Sequence, residues 1–153
     1  ILMRLLEEKL PVEQITVMVQ KEAAQRITAA PGTRGAGAIS YAVAYYAAPR
    51  LLFTVQPGSF YPPPKVTSAV IQLAVRPAAV DTPDEAEYFR LVRAAFGQRR
   101  KTAANSISAG LGLAKGRVSA ALAAAGLPPA ARPEQLTLQD FCALQRALRG
   151  EMV

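Results

Sequence analysis

The chain has 153 residues, of which 51% are hydrophobic, so it can bury the core of one ordinary domain or of one and a half small ones. It contains no histidine and a single cysteine, which excludes a Ser-His triad, a histidine general base and a histidine-ligated zinc site within these residues. The net charge of +7 favours a polyanionic partner, and no apolar run reaches the roughly 18 residues of a membrane span.

The first part of the chain predicts helices alternating with a strand. Residues 1–9 predict a helix, 15–20 a short buried strand, and 21–30 a second helix that stops at Pro31 and Gly32. The opening residues lack the basic start and cleavage site of a signal peptide, and they indicate a chain that begins inside a fold. This order of elements favours α/β layering around a partly parallel sheet.

The middle of the chain predicts a glycine-rich loop, a helix over 40–48 and two strands over 51–55 and 66–76. The ten residues between these strands, 56–65, contain four prolines. Proline cannot donate a hydrogen bond to a sheet, so this segment cannot continue a central strand. It is expected to be a stiff, extended connection within an antiparallel pair.

The last part of the chain predicts helices only. The sequence Thr82-Pro83-Asp84-Glu85 is typical of a capping box that opens a helix, with proline at the first helical position. A second helix is predicted over about 116–125, and 137–140 is expected to open a last helix whose buried stripe is Phe141, Leu144 and Leu148. The predicted fold class is therefore α/β followed by all-α, with a linker at 77–83.

A basic block lies in the helical part. No acidic residue occurs between Tyr88 and Pro133, and a bound anion would offset the repulsion among the positive charges there. The alternative is a solvated helix face that serves solubility. The adjacent Arg99, Arg100 and Lys101, followed by polar Asn105, favour nucleic-acid contact, although charge alone does not separate RNA from DNA. The eight basic residues of the block are Arg90, Arg93, Arg99, Arg100, Lys101, Lys115, Arg117 and Arg132.

The proline-rich segment carries two aromatic residues, Phe60 and Tyr61. Because proline restricts the backbone, an aromatic ring on this loop can serve as a platform for an unpaired base at a low cost in ordering. Lys65 is placed to reach a neighbouring phosphate. The alternative is that these aromatics plug the edge of a core, as proline-flanked aromatics commonly do.

Several segments together resemble one known family, the small-subunit rRNA adenine dimethyltransferases of the KsgA/RsmA type. They are Val19–Arg26, Phe60–Val70, Phe96–Thr102 with Asn105, and the tail over 126–137, and the resemblance covers essentially the whole chain. It implies the second half of a Rossmann-like class I methyltransferase domain at 1–78 and a small helical RNA-binding domain at 79–153. It also implies S-adenosylmethionine-dependent dimethylation of two adjacent adenosines in a hairpin near the 3′ end of small-subunit rRNA, during ribosome assembly.

The resemblance also implies roles for individual residues. Phe60 is expected to stack against the flipped adenine, as the catalytic-site contribution of this chain. RNA-binding roles are expected for Arg99, Arg100, Lys101, Lys65 and Asn105. The expected partner is small-subunit rRNA or the pre-30S particle, for a cytoplasmic monomer with no membrane association and no metal.

The family's cofactor motifs are not in this sequence. Its Asn-Leu-Pro-Tyr motif, glycine-rich loop and ribose-binding acid come earlier in the family pattern, so S-adenosylmethionine is expected to be bound by residues upstream of this chain. Gly32–Gly37 is no substitute, because it is predicted to follow a helix, whereas a dinucleotide-type loop joins a strand to a helix. The chain alone is therefore expected to be inactive.

The sequence departs from the family pattern at two places. Thr67 stands where the family commonly has aspartate, and Ala103-Ala104 replaces a larger, often basic pair, which removes one phosphate contact.

Three alternatives stay open. The first is a large-subunit rRNA adenine methyltransferase of the macrolide-resistance type, which shares the aromatic-Pro-x-Pro-Lys segment. The second is a non-catalytic nucleic-acid-binding module. The third is a purely structural domain of a ribosome-assembly factor.

Overall fold

The computed structural model describes residues 2–98 and 100–149. They divide into two compact units: residues 2–30 and 35–79 form the first, and residues 31–34 and 80–149 form the second. The division into two domains at 1–78 and 79–153 stays a prediction. The compact units differ from them in grouping residues 31–34 with the helical part of the chain. No helix among the described residues is long and apolar enough to cross a membrane.

The first unit combines three helices with three strands, close to the bounds that the sequence predicts except that the second strand begins at Ala47, within the stretch 40–48 that is predicted to be helical. The elements in chain order are α1 (Leu2–Glu7), β1 (Gln14–Gln20), α2 (Lys21–Thr28), α3 (Ala38–Tyr46), β2 (Ala47–Val55) and β3 (Ser68–Val75). Helix α2 ends just before Pro31 and Gly32. Proline has no backbone N–H to donate, and glycine has a flexible backbone, so neither residue favours continuation of the helix.

The three strands form one sheet in the order β1-β3-β2, and both neighbouring pairs are antiparallel. Since β1 and β2 both oppose β3, they run in the same direction, as the ends of a βαβ unit would, but β3 lies between them. The expectation of a partly parallel sheet is therefore wrong for the hydrogen-bonded pairs of the described residues. The predicted antiparallel pairing across the proline-rich connection is confirmed, because β2 pairs with β3 from Ala47↔Val75 to Val55↔Ser68.

One face of this sheet is buried and the other carries exposed apolar side chains. On the central strand, Ala69, Ile71 and Leu73 are fully buried. On the opposite face Met18 and Phe53 both lie across from Val70, and they are 52% and 55% exposed. The core of the unit thus lies on one side of the sheet, because side chains alternate between the two faces along each strand.

The second unit consists of four helices: α4 (Glu85–Ala95), α5 (Ala103–Leu111), α6 (Lys115–Ala124) and α7 (Leu138–Leu148). The predicted start of α7 is confirmed: Asp140 N donates to Thr137 Oγ1 at 3.0 Å, and Thr137 N donates to Asp140 Oδ2 at 2.9 Å. The predicted stripe of α7 is buried as well, with Phe141, Leu144 and Leu148 at most 1% exposed. The sequence did not predict α5 as a separate helix.

The predicted start of α4 is wrong. The N-cap is Asp84, whose carboxylate accepts a hydrogen bond from Glu87 N at 3.0 Å, whereas the sequence favoured Thr82 as the cap. Aspartate is a stronger N-cap than threonine, and here its carboxylate takes up the orphan donor of Glu87. Two bonds from α7 reach the same residues: Gln145 Nε2 donates to Asp84 O at 2.8 Å, and Cys142 Sγ donates to Asp81 O at 3.3 Å. These bonds attach residues 81–84 to α7.

Helices α4 and α5 pack closely at Gly110. A Cβ atom at this position would lie 2.8 Å from the Cβ of Ala94 and 3.1 Å from its Cα. We therefore expect Gly110→Ala to lower the free energy of unfolding by about 1–3 kcal/mol, because the helices must separate. Thermal unfolding followed by helical circular dichroism measures the loss.

The matched control for this prediction is Gly116→Ala in α6. A Cβ there would meet nothing within 4 Å, and alanine favours a helix over glycine by up to about 1 kcal/mol. The control should leave stability unchanged or raise it. Equal stability of the Gly110→Ala and Gly116→Ala variants would contradict the close packing of α4 on α5.

Candidate nucleic-acid interface

The proline-rich connection between β2 and β3 presents aromatic rings at the surface of the first unit. A 3-10 turn over Pro57–Ser59 begins it, and Phe60 N donates to Pro57 O at 3.2 Å, which anchors the aromatic residue to that turn. Phe60 is half-buried, whereas the side chain of Tyr61 is fully exposed. The ring of Phe60 is thus partly covered by the protein, and the ring of Tyr61 lies in solvent.

The loop beyond the two rings stays at the surface. Every residue from Tyr61 to Val66 is exposed, including Lys65, whose ammonium group is available to a phosphate. Sequence reasoning assigned base stacking to Phe60 alone. The exposure of Tyr61 identifies a second ring, and exposure of this kind depends on the folded loop, so the residue type alone could not indicate it.

The turn between α4 and α5 carries the predicted basic residues of the second unit. Arg100 and Lys101 are exposed, and Arg100 has a left-handed backbone with φ of 64°. Thr102 caps α5 by accepting a hydrogen bond from Asn105 N at 3.3 Å. Asn105 itself is half-buried one turn into the helix. Arg99 lies outside the described residues.

The turn is held at its start as well. Ser106 is buried, and its hydroxyl donates to Gln98 O at 3.3 Å, which ties the residue before the basic run to α5. Together with the cap at Thr102, this bond fixes both ends of the short turn that carries Arg100 and Lys101. A preformed turn loses little conformational freedom when it binds a polyanion.

Two arginines of the second unit bond to residues far from them in the sequence. Arg146 donates to Asp81 O at 2.9 Å, and Arg149 forms an ion pair with Glu87 at 3.5 Å. These two arginines support the helical packing. All the basic residues of the basic block that the structure describes are exposed: Arg90, Arg93, Arg100, Lys101, Lys115, Arg117 and Arg132.

The candidate residues divide between the two units. Phe60 and Lys65 belong to the first, and Arg100, Lys101 and Asn105 belong to the second. The candidate residues therefore form two separate groups. The first unit carries an aromatic platform with one lysine, and the second unit carries a basic turn at the start of a helix.

The glycine-rich segment does not fit a methyl-donor cofactor. It lies between α2 and α3, so no strand precedes it, and its last glycine, Gly37, caps α3 with its N–H donating to Ser40 Oγ at 3.0 Å. A Cβ at Gly37 would meet the side chain of Arg26 at 3.0 Å. Close packing against protein, not an open cradle for a ligand, explains glycine at this position.

Comparison with known sequences gives a consistent set of relatives. A family model described as "Ribosomal RNA adenine dimethylase" matches residues 1–148. The chain is 48% identical over 146 residues to the ribosomal RNA small subunit methyltransferase A of Pelotomaculum thermopropionicum, covering 94% of this chain and 50% of that protein. It is 44% identical over 158 aligned residues to the protein of the same name from Alkaliphilus oremlandii, covering 99% of this chain and 54% of that protein. The chain thus spans about half the length of the curated relatives it matches.

Solved structures show the same fold. A dimethyladenosine transferase from Plasmodium falciparum superposes with a TM-score of 0.70 at 21% identity, over 99% of this chain and 63% of that one. The 23S rRNA methyltransferase ErmE superposes with a TM-score of 0.65 at 22% identity, over 96% of this chain and 59% of that one. Both likenesses concern the fold, and together with the α/β first unit and the helical second unit they confirm the predicted fold class.

Proposed function

Because the chain belongs to the ribosomal RNA adenine dimethylase family, we propose that it supplies the RNA-binding surface and one wall of the adenine pocket to an S-adenosylmethionine-dependent rRNA dimethyltransferase. The proposed reaction is dimethylation of two adjacent adenosines in a hairpin near the 3′ end of small-subunit rRNA during ribosome assembly. The proposed partner is the pre-30S particle, bound by a monomer in the cytoplasm.

The observation that carries this proposal is the identity of 48% with a small subunit methyltransferase A along 94% of the chain. The geometry supports it independently, since an anchored ring at Phe60 and an exposed basic turn at Arg100 and Lys101 are the two parts that handling an unpaired base requires. The large-subunit alternative has weaker support, because ErmE resembles this chain in fold at only 22% identity.

The proposed part of this chain in the reaction is to bind and orient the RNA. Phe60 stacks on the flipped adenine and limits its rotation, which helps to hold the exocyclic amine in a reactive position. Lys65 and the basic turn bind phosphates on either side. No described residue is assigned to the methyl donor, so no step of the transfer itself is assigned to this chain.

Methyl transfer by an intact protein containing this chain tests the function. We expect methyl groups from labelled S-adenosylmethionine to be incorporated into small-subunit rRNA, at two adjacent adenosines. Incorporation into large-subunit rRNA alone would support the macrolide-resistance alternative. Tight RNA binding without any methylation would support the non-catalytic module.

Because the cofactor is proposed to bind residues outside this chain, a separate prediction concerns the 153-residue chain alone. We expect no S-adenosylmethionine binding by calorimetry, because the glycine-rich segment Gly32–Gly37 lies between two helices and is not a strand-to-helix loop. RNA binding by the same preparation serves as the control for a folded sample. A saturable heat of binding with the cofactor would show that this chain holds the donor site after all.

A further inference from the structure

A cleft of about 390 Å³ lies within the second unit, between α4 and α5. Its walls include Arg90, Arg93 and Gln98 on one side and Ser106, Ala109 and Gly110 on the other. Sites for small molecules commonly have volumes of about 300–1,000 Å³. The cleft therefore has room for a single nucleotide and is larger than an isolated anion requires.

The charge of the cleft comes from one wall. Arg90 and Arg93 are three residues apart on α4, so both lie on the same face of the helix, and both are exposed. Two guanidinium groups at this spacing can bind one phosphate together. Guanidinium groups also match phosphate oxygens in bidentate geometry, which favours phosphate over a simple halide ion.

The opposite wall is uncharged and small. Ala109 and Gly110 of α5 present little more than backbone, and Gly97 at the end of α4 does the same. The bond from Ser106 to Gln98 O holds the turn that closes one end. A ligand with one anionic end and one flat, uncharged end matches such a cleft, and its walls need little rearrangement to bind it.

We infer that this cleft is a subsite for one unpaired nucleotide of the RNA, with its phosphate bound by Arg93 and Arg90 and its sugar and base lying over Ala109 and Gly110. The inference rests on the proposed RNA-binding function and adds to it a position outside the Arg99–Lys101 run. An unpaired nucleotide is the expected occupant because bases held in a double helix cannot enter a cleft of this size.

Two kinds of variant separate charge from shape. Arg90→Gln with Arg93→Gln removes the cations, whereas Ala109→Phe fills the cleft and leaves the charge unchanged; Ala109 is exposed, so the larger side chain does not enter the core. The matched control is Arg34→Gln, an exposed arginine of the same unit that lies outside the cleft lining. The probe is a labelled rRNA hairpin with two adjacent adenosines in its loop, and a fully paired duplex of similar length is the comparison.

We expect hairpin affinity of the 153-residue chain to fall about tenfold in the double arginine variant, which loses the phosphate contact, and by a similar factor in Ala109→Phe, which occupies the space of the sugar and base. Only the arginine variant should flatten the salt dependence, by roughly one to two in slope. Ala109→Phe should leave duplex affinity within about twofold, because a duplex does not use the cleft. Arg34→Gln should change hairpin affinity less than about twofold.

Circular dichroism and melting temperature establish that each variant is folded, and Ala109→Glu provides a second test in case phenylalanine disturbs the helix. Unchanged hairpin affinity in a folded Ala109→Phe and in Ala109→Glu would overturn the subsite. If the Arg99→Gln/Arg100→Gln variant still binds weakly in that case, the proposed RNA-binding function stands and only the cleft is wrong. If none of these variants weakens binding, both proposals fail.

Discussion

Replacement of Phe60 with alanine is expected to lower turnover of the intact enzyme by about 10- to 100-fold, with a much smaller loss of RNA affinity. A base stacked on an aromatic side chain gains about 1–3 kcal/mol, and about 1.4 kcal/mol corresponds to a tenfold change in rate. The effect falls on turnover because stacking orients the flipped adenine, whereas most of the RNA affinity comes from phosphate contacts elsewhere.

Two further variants decide what Phe60 does. Leucine at this position keeps an apolar side chain for the half-buried site but has no aromatic face, so Phe60→Leu should remain folded and lose turnover almost as fully as Phe60→Ala. Single-turnover methylation and filter-binding measurements on the same preparations separate rate from affinity. Full activity of Phe60→Leu would mean that Phe60 only completes the core.

The neighbouring ring provides the matched comparison. Tyr61 is fully exposed, so Tyr61→Ala should not affect stability, and any loss of function must come from contact with RNA. We expect a smaller loss of turnover than in Phe60→Ala, because only Phe60 is anchored to the preceding turn through Pro57 O. A larger loss in Tyr61→Ala would transfer the stacking role to Tyr61.

Removal of the two adjacent arginines is expected to weaken RNA binding by about 10- to 100-fold and to reduce its salt dependence. Each phosphate contact contributes roughly 0.7–0.9 to the slope of log K against log salt, so Arg99→Gln with Arg100→Gln should lower the slope by roughly 1.4–1.8. Glutamine suits this test because it is no better than arginine in the left-handed conformation of Arg100, which leaves the backbone cost unchanged.

The control for this variant removes two arginines elsewhere. Arg4 and Arg34 are both exposed, and replacing both with glutamine changes the net charge by the same amount. Affinity for the rRNA hairpin, titrated at several salt concentrations, should fall far more in the Arg99/Arg100 variant than in this control. Equal slopes in the two variants would mean that the basic turn faces solvent and that only the total charge matters.

Features that depend on neighbouring residues were predictable from the sequence. The cap at Thr137 and Asp140 is a reciprocal pair of bonds across three residues, and it forms where the sequence predicts it. The strand β1 and the stop of α2 before Pro31 also follow from local patterns. Family membership was accessible for the same reason, since it depends on short segments in a fixed order.

Features that depend on residues far apart in the chain were not predictable from the sequence. Gln145 donates to the carbonyl of Asp84, the cap of α4, from 61 residues away, and no local pattern contains that bond. The central place of β3 in the sheet is likewise a matter of pairing between strands far apart in the chain. A pattern within ten or fifteen residues cannot encode such partners, because loop closure and packing select them only in the folded chain.

The candidate site also combines features that depend on the local sequence with features that depend on tertiary packing. The sequence by itself indicated the family and the fold class, and it predicted an aromatic platform at Phe60 and a basic run at Arg99–Lys101, because each is a matter of residue type and spacing. Only the tertiary structure decided that Tyr61 is fully exposed and that Arg90 and Arg93 line a cleft with Gly110. Exposure and cavities arise from the packing of one helix or loop against another. The absence of a side chain at Gly110 lets α5 lie close to α4 beside that cleft, since a Cβ there would be only 2.8 Å from the Cβ of Ala94.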